Sequence, residues 1–558
     1  MTIQIYCIII TVLLLCNQSS TFAQFTNPLP IPDTLSGPVI NLSLTSGQKA
    51  ILPGNPTPTL SYNNFGYLGP TLILRKGWEV TVTIHNQIDD TTTLHWHGLH
   101  VSSHTDGGPH SPILPGGQWN PHFTCMDKAG TYWYHPHFHK KTAEQTLRGA
   151  AGLILVRDAE EANLNLPRTY GKDDFPIILQ SLEFKTTNEI LPKGQQDSIV
   201  LINGAISPYL AVPAQWTRFR LLNASNTRNF YVGFEDNRIF KMIGSDGGLL
   251  GRPISVNRIK IAPGERFEIL VDFTGLESQI LKLKSFGSEI PSGVQGGPTI
   301  FSPHGTPSMA SPLNGVNYDL LDFRVKAALP NPITNVPDSL AVQKRLQESD
   351  AALNRFVVFS SAVPGSSHGP FLLNDSSFNM ERIDFTIPVN QTEIWTIHNQ
   401  TVVAHPFHIH GFQFYILDRY GSPVGPEEMG RKDMVMVGVN ESLRIITKFS
   451  DFADSIMPYM FHCHILTHED EGMMGQFVVA PLTSSLIQKG TDSFKVWPNP
   501  LRDVLNISGS THNTEIFNFL GKKIGELKIG VNSIETSHWP QGLYRIKSGH
   551  QMITLLKW

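Results

Sequence analysis

Residues 460–474 read MFHCHILTHEDEGMM, which sets a cysteine between two histidines with another histidine and two methionines just downstream. The His-X-His spacing recurs at His95-Trp96-His97, His135-Pro136-His137 and His408-Ile409-His410. On a β-strand, residues two apart project from one face and the residue between them from the other. Each pair therefore presents two imidazoles together, and eight imidazoles suit a cluster of three metal ions better than a single ion. Cys463 must point away from His462 and His464. On that side it can meet His405 and His468, with Met473 ten residues further on as a weak axial ligand. A thiolate, two imidazoles and a distant thioether form the ligand set of a blue-copper electron-transfer centre. The peptide from Cys463 to its flanking histidines is then a short covalent route between two metal sites. Structural zinc wants a closed tetrahedron, and His468-Glu469-Asp470-Glu471-Gly472 lacks the second histidine of the zinc-protease pattern. Copper fits the set best.

These strands belong to a repeat. GWEVTVTIHNQ (77–87), QWTRFRLLNAS (215–225) and TEIWTIHNQT (392–401) each alternate as a half-buried strand does, and each runs to an asparagine: Asn86, Asn223 and Asn399. Nine and eleven positions past Asn86 lie His95 and His97, and the same offsets past Asn399 give His408 and His410. Past Asn223 they give Val232 and Phe234. TYWYHPHFH (131–139) likewise aligns with PYMFHCHIL (458–466), setting His135 and His137 against His462 and His464. One β-domain thus occurs three times, and the middle copy has apolar residues at the offsets where the outer two have histidines. His100 and His139 are candidates for supporting the ligands or for a structural role. The remaining histidines, His104 and His110 among them, read as ordinary surface or core residues.

Charged residues around 157–174 and a proline-containing stretch at 325–352 read as linkers. The expected layout is a secretory signal over 1–23, β-domains at 24–158, 175–326 and 353–482, and a small β-domain at 490–558. The signal reading rests on the apolar run Ile3–Leu15 and on Thr21-Phe22-Ala23 as a cleavage site. The run is too short to span a bilayer comfortably, so no transmembrane segment is expected in the mature chain. Removing 1–23 removes Cys7 and Cys16, leaving Cys463 and a lone Cys125 that reads as a buried core thiol. A formal charge of −4 gives no broad positive field for nucleic acid. The 46 glycines and 39 prolines favour many short strands joined by turns, an all-β fold.

With these motifs in hand, residues 40–482 resemble the three-domain multicopper oxidases. HWHGL, DGGPHSPILPGG, YWYHPH, HPFHIHG and HCHILTHEDEGMM are most similar to the bacterial branch of copper-efflux oxidases, spore-coat laccases and bilirubin oxidases. The resemblance implies three cupredoxin-like Greek-key β-barrels and four copper ions. It places type 1 copper on His405, Cys463 and His468 with Met473 axial, and type 2 copper on His95 and His408. One type 3 ion falls to His97, His135 and His464, the other to His137, His410 and His462. It further implies one-electron oxidation of a small reducing substrate, reduction of dioxygen to water, and proton delivery by Asp106 and Glu469. Cuprous oxidases of this branch carry Asp and Met where this chain has Thr401 and Val403, plus a methionine-rich insertion, whereas residues 325–352 contain no methionine. Phenols or aromatic amines are therefore the expected substrates, with cuprous-ion or bilirubin oxidation as the alternatives; a non-catalytic copper-binding electron carrier, a further alternative, would have no need of the eight interface histidines. FKVWPNPLRDVLNISG (494–509) resembles the start of a type A sorting domain of the type IX secretion system. That resemblance implies a secretion machinery as partner and an extracellular or cell-surface destination, reached through the periplasm.

Overall fold

The computed structural model describes residues 25–481 except 194–195, 302–306 and 309, and, further on, segments between 495 and 557. The signal reading of 1–23 lies outside the described residues. The chain forms two compact units, Met1–Pro481 and Leu482–Trp558.

The larger unit is built from pairs of β-sheets, each pair enclosing its own apolar core. The three repeated stretches occupy one topological position. Strands Glu79–Asn86, Trp216–Asn223 and Gln391–Asn399 each pair parallel to an earlier strand, Val39–Lys49, Asp174–Leu182 and Leu353–Ser361 respectively. The first shows clean alternation between core and outer face. In the second and third both faces are buried, because the outer face packs against neighbouring structure.

The asparagines that end these strands do the same work each time. Asn86 accepts from the Ile88 amide and donates to the carbonyls of Asp90 and Ile113. Asn399 accepts from Thr401 and donates to Val403 and Gly438. Asn223 accepts from Ser225 and donates to Arg228 and Ile261. A short amide can satisfy three backbone groups of a tight loop at once, which explains the repeat. The middle loop closes on the fifth residue after the asparagine and the outer two on the fourth. That extra residue reverses the facing of everything beyond it. Val232 and Phe234 consequently point into the core of the middle barrel, so they are not spatial equivalents of the histidines, although their offset is the same.

In the outer barrels the histidine strands are adjacent. Strand Gly130–His135 lies between Gly152–Arg157 and His95–His97, with His135 opposite His95. Strand Asp454–Cys463 lies between Met474–Ala480 and His405–Ile409, with His462 opposite His408. Cross-strand neighbours on one face lie within about 5 Å, so each barrel gathers its imidazoles on adjacent strands. Cys125 is buried in the first core, and burial pushes its thiol up to about 12.

The smaller unit has a three-stranded and a four-stranded sheet around a core that includes Leu505, Ile507, Ile516 and Ile546. No helix among the described residues is long and apolar enough to cross a membrane.

Candidate metal centre

The eight paired histidines converge between the first and third barrels, and every one is buried. Potential ligand atoms fall into triads within 4.8 Å of one another: His97, His135 and His464; His137, His410 and His462; and His95, His97 and His408. His97 Nδ1 lies 3.4 Å from His135 Nε2 and 3.3 Å from His464 Nε2. His462 Nε2 lies 3.2 Å from His137 Nε2 and 3.1 Å from His410 Nε2.

These close approaches are not hydrogen bonds. The Nδ1 groups of His95, His135, His408 and His462 face the carbonyls of Asp106, Pro136, Asp433 and Cys463 at 2.8–3.0 Å. A carbonyl only accepts, so each Nδ1 carries the proton and each Nε2 is a lone pair. His410 donates Nδ1–H to Asp106 Oδ2 at 2.8 Å and His97 donates Nε2–H to Asp433 Oδ1 at 3.2 Å, which fixes their lone pairs inward too. Lone pair then opposes lone pair between His410 and His462 and between His97 and His135. The Nε2 atoms of His95 and His408 have no partner at all. Opposed and orphaned lone pairs in a dry site repel unless cations lie among them. Protons do not fill that role readily. Burial and neighbouring imidazoles hold His97, His135, His137, His408, His410 and His464 well below the usual histidine range, and burial takes His462 down to about 3. Neutral imidazoles in this arrangement fit metal ions.

On the opposite face of strand Asp454–Cys463, the Cys463 sulfur meets His405 and His468. Sγ is 3.4 Å from His405 Nδ1 and 3.8 Å from His468 Nδ1, and the two nitrogens are 3.3 Å apart. The centre of that triangle lies about 2 Å from each corner, close to ordinary metal–nitrogen and metal–sulfur bond lengths. Burial pushes the Cys463 thiol up, and only a bound cation would favour its thiolate there. Met473 belongs to the same buried cluster, and its carbonyl accepts from the Cys463 amide at 3.1 Å. His405 Nε2–H donates to the Thr401 hydroxyl at 2.9 Å, and Phe371 packs edge-on to the His405 ring and tilted against the His468 ring.

The two carboxylates picked out in the sequence border the histidine cluster. Asp106 binds His410, as above, and its Oδ1 is buried without a partner. Glu469 Oε1 accepts from the Thr142 hydroxyl at 2.7 Å and lies 3.4 Å from His137 Nδ1, while Oε2 lies 3.5 Å from His462 Nδ1. Burial, then the nearby charge of Asp470, holds the Glu469 carboxyl well above the usual range.

Several participants carry no signal of spacing. Asp433 is fully buried against His97 and is gripped by Arg266 of the middle barrel. His100, His104 and His110 join the first and third barrels through Gly411 O, Asp454 Oδ2 and Gln476 Oε1. His104 is an exposed surface residue, as expected, and His110 is half-buried. The signal for Asp433 was a lone acid ahead of the apolar strand Met434–Val437, which only the docked barrels make meaningful.

Comparison with known proteins agrees with this geometry. Multicopper oxidase family models match residues 44–161, 180–279 and 337–483, and a secretion-system C-terminal sorting domain matches 495–556. The chain is 33% identical over 450 residues to the multicopper oxidase mco of Staphylococcus haemolyticus, covering 78% of this chain and 88% of that one. It is also 33% identical over 462 residues to the cell division protein FtsP of Sodalis glossinidius, covering 81% and 92%. A laccase-like multi-copper oxidase of Ochrobactrum sp., with oxidase activity towards lignin model compounds, superposes with a TM-score of 0.71 at 33% identity over 81% of this chain and all of that one. With three matching domain models and relatives this similar over most of its length, the chain belongs to the multicopper oxidase family, copper-binding oxidoreductases, and carries a C-terminal secretion sorting domain.

Proposed function

We propose a laccase-like oxidase holding four copper ions, which takes electrons singly from phenols or aromatic amines and passes them to dioxygen to form water. The observation that carries this reading is the two-faced strand at 462–464, where Cys463 joins His405 and His468 while His462 and His464 enter the histidine cluster. His405, Cys463, His468 and Met473 would hold the type 1 ion and His95 with His408 the type 2 ion. His97, His135 and His464 would hold one type 3 ion, and His137, His410 and His462 the other. Bound copper would supply one-electron redox chemistry and the site for dioxygen.

The chain's own residues account for the rest. His468 is the most exposed of these histidine rings, at 5%, and marks where a reductant makes contact beside Phe371. Thr401 is engaged with His405 and Val403 is buried, so the positions that serve cuprous ions in related enzymes offer no carboxylate or thioether here. The peptide from Cys463 to His462 and His464 links donor and acceptor sites. Glu469 lies beside His137 and His462, and Asp106 orients His410 from the other side, so these two carboxyls border the cluster where oxygen atoms must be protonated. The sorting domain supports export and release or attachment at the cell surface, with cleavage near residue 490.

The test is oxygen uptake by copper-loaded protein with 2,6-dimethoxyphenol, Cu(I), Fe(II) and bilirubin, alongside copper analysis and the blue thiolate absorption. Four coppers, a blue band and preference for the phenol are expected. Preference for Cu(I) would overturn the substrate, and absence of the blue band would overturn the site.

A further inference from the structure

We infer that the middle barrel, which contributes none of the proposed copper ligands, sets which nitrogen of His97 faces the cluster, acting through an Arg266–Asp433 clamp. The inference rests on the ligand set proposed above. Among the eight cluster imidazoles His97 is the exception: it directs Nδ1 inward, whereas the other seven direct Nε2. A ring nitrogen bearing hydrogen cannot ligate, so the acceptor behind the ring selects the ligating atom. For His97 that acceptor is Asp433 Oδ1, 3.2 Å from Nε2.

Asp433 is itself immobilised. Arg266 Nη1 donates to Oδ1 and Nη2 to Oδ2, both at 2.6 Å, as a paired fork. The other three N–H groups of Arg266 donate to the carbonyls of Thr131, Gly264 and Asp246. All five donors are thus used, in a side chain without solvent exposure, and the guanidinium has no freedom to follow a shift of Asp433. The Asp433 carbonyl meanwhile accepts from His408, whose ring stacks on His97 with centroids 3.8 Å apart and planes 8° from parallel. One aspartate therefore holds two stacked rings from different barrels.

The turn that presents Arg266 is locked in turn. Glu265 accepts from the Ala262 amide and pairs with Lys432, the residue before Asp433, and Lys432 also pairs with Asp246. Gly264 has a φ of +86°, and a Cβ there would come within 3.1 Å of the His464 ring. The middle barrel thus presses bare backbone on one cluster histidine and steers a second through charge.

The experiment compares parent with Arg266→Lys and Arg266→Met, reading copper content, the paramagnetic signal of the non-blue copper, the near-ultraviolet absorption of the coupled pair and the blue band. A lysine keeps the charge and loses the fork. We expect both variants to keep the blue band, which reports an intact third barrel. Both should bind cluster copper or reoxidise with dioxygen about 10- to 100-fold more poorly, with an altered non-blue signal. A variant that keeps four coppers, parental non-blue spectra and parental reoxidation overturns the inference. If Arg266→Met does not fold, Arg266→Lys decides by the same readings. A parent that itself lacks the non-blue signals overturns the ligand set instead, which separates the two failures.

Discussion

Replacing Arg220 with methionine tests whether the charges buried between the first two barrels hold that junction. Arg220 Nε and Nη2 donate to the two Asp174 oxygens at 2.7 and 2.9 Å, and Nη1 donates to Glu268 Oε1 at 2.7 Å and Thr131 Oγ1 at 3.0 Å. All four residues are buried. Three charge-assisted bonds at about 1.5–3 kcal/mol each would give a loss of up to ~9 kcal/mol if nothing replaced them. However, Asp174 keeps Arg157, and Glu268 keeps Arg218, so neither carboxylate is left alone. The expected loss is therefore that of a broken buried pair, about 3–5 kcal/mol. Burial alone would raise both carboxyls; nearby arginines overcome it, holding Glu268 at about 2 and Asp174 below the usual range. Groups depressed in this way stabilise the fold above their unfolded pKa of about 4, and the contribution fades as pH falls through the folded values. The gap between parent and variant should thus be widest near neutrality and should narrow below about pH 4. Urea unfolding of the copper-loaded proteins at neutral and acidic pH measures it. A gap under about 1 kcal/mol at neutral pH, or one unchanged by acid, would refute the reasoning.

Glu469→Gln keeps shape but supplies no transferable proton, so we expect full copper and a normal blue band with turnover about 10²- to 10³-fold lower; oxygen uptake within threefold of the parent would remove Glu469 from proton delivery. Thr401→Val strips the acceptor from the buried His405 Nε2–H, costing roughly 1–3 kcal/mol. It should appear as easier loss of the blue band to a copper chelator while cluster copper stays, and equal retention would show that the hydroxyl does not hold the ring. Cys125→Ala should leave copper content and activity unchanged, since the thiol lies in the first core away from every triad. Loss of either would give Cys125 a role that its position does not explain.

What could be read from the sequence was what is local. A period of two along a strand fixes which way a side chain faces, so four His-X-His pairs and the lone Cys463 sufficed to separate the histidine cluster from the Cys463, His405 and His468 group on the other face. The asparagines at 86, 223 and 399 marked the repeat because the loop each one closes is also local. The reading failed where one inserted residue changed facing without changing the offset, at Val232 and Phe234.

It also fell short wherever the partner comes from another barrel. Arg266 and Asp433 are 167 residues apart, and neither has a spacing that marks it. A weaker signal did exist. TRFR at 217–220 and ERFE at 265–268 alternate charge with aromatic residues on paired strands of the middle barrel, where Arg220 stands directly opposite Glu268. Opposite charges facing across a sheet, on strands whose other face is apolar, indicate a charged face buried against a neighbour. From the same face Thr131 reaches Glu268, and Thr131 lies on the strand that ends at His135. A barrel with no proposed ligand can therefore govern metal chemistry, because in a dry interface the placement of a guanidinium decides which nitrogens remain free to bind.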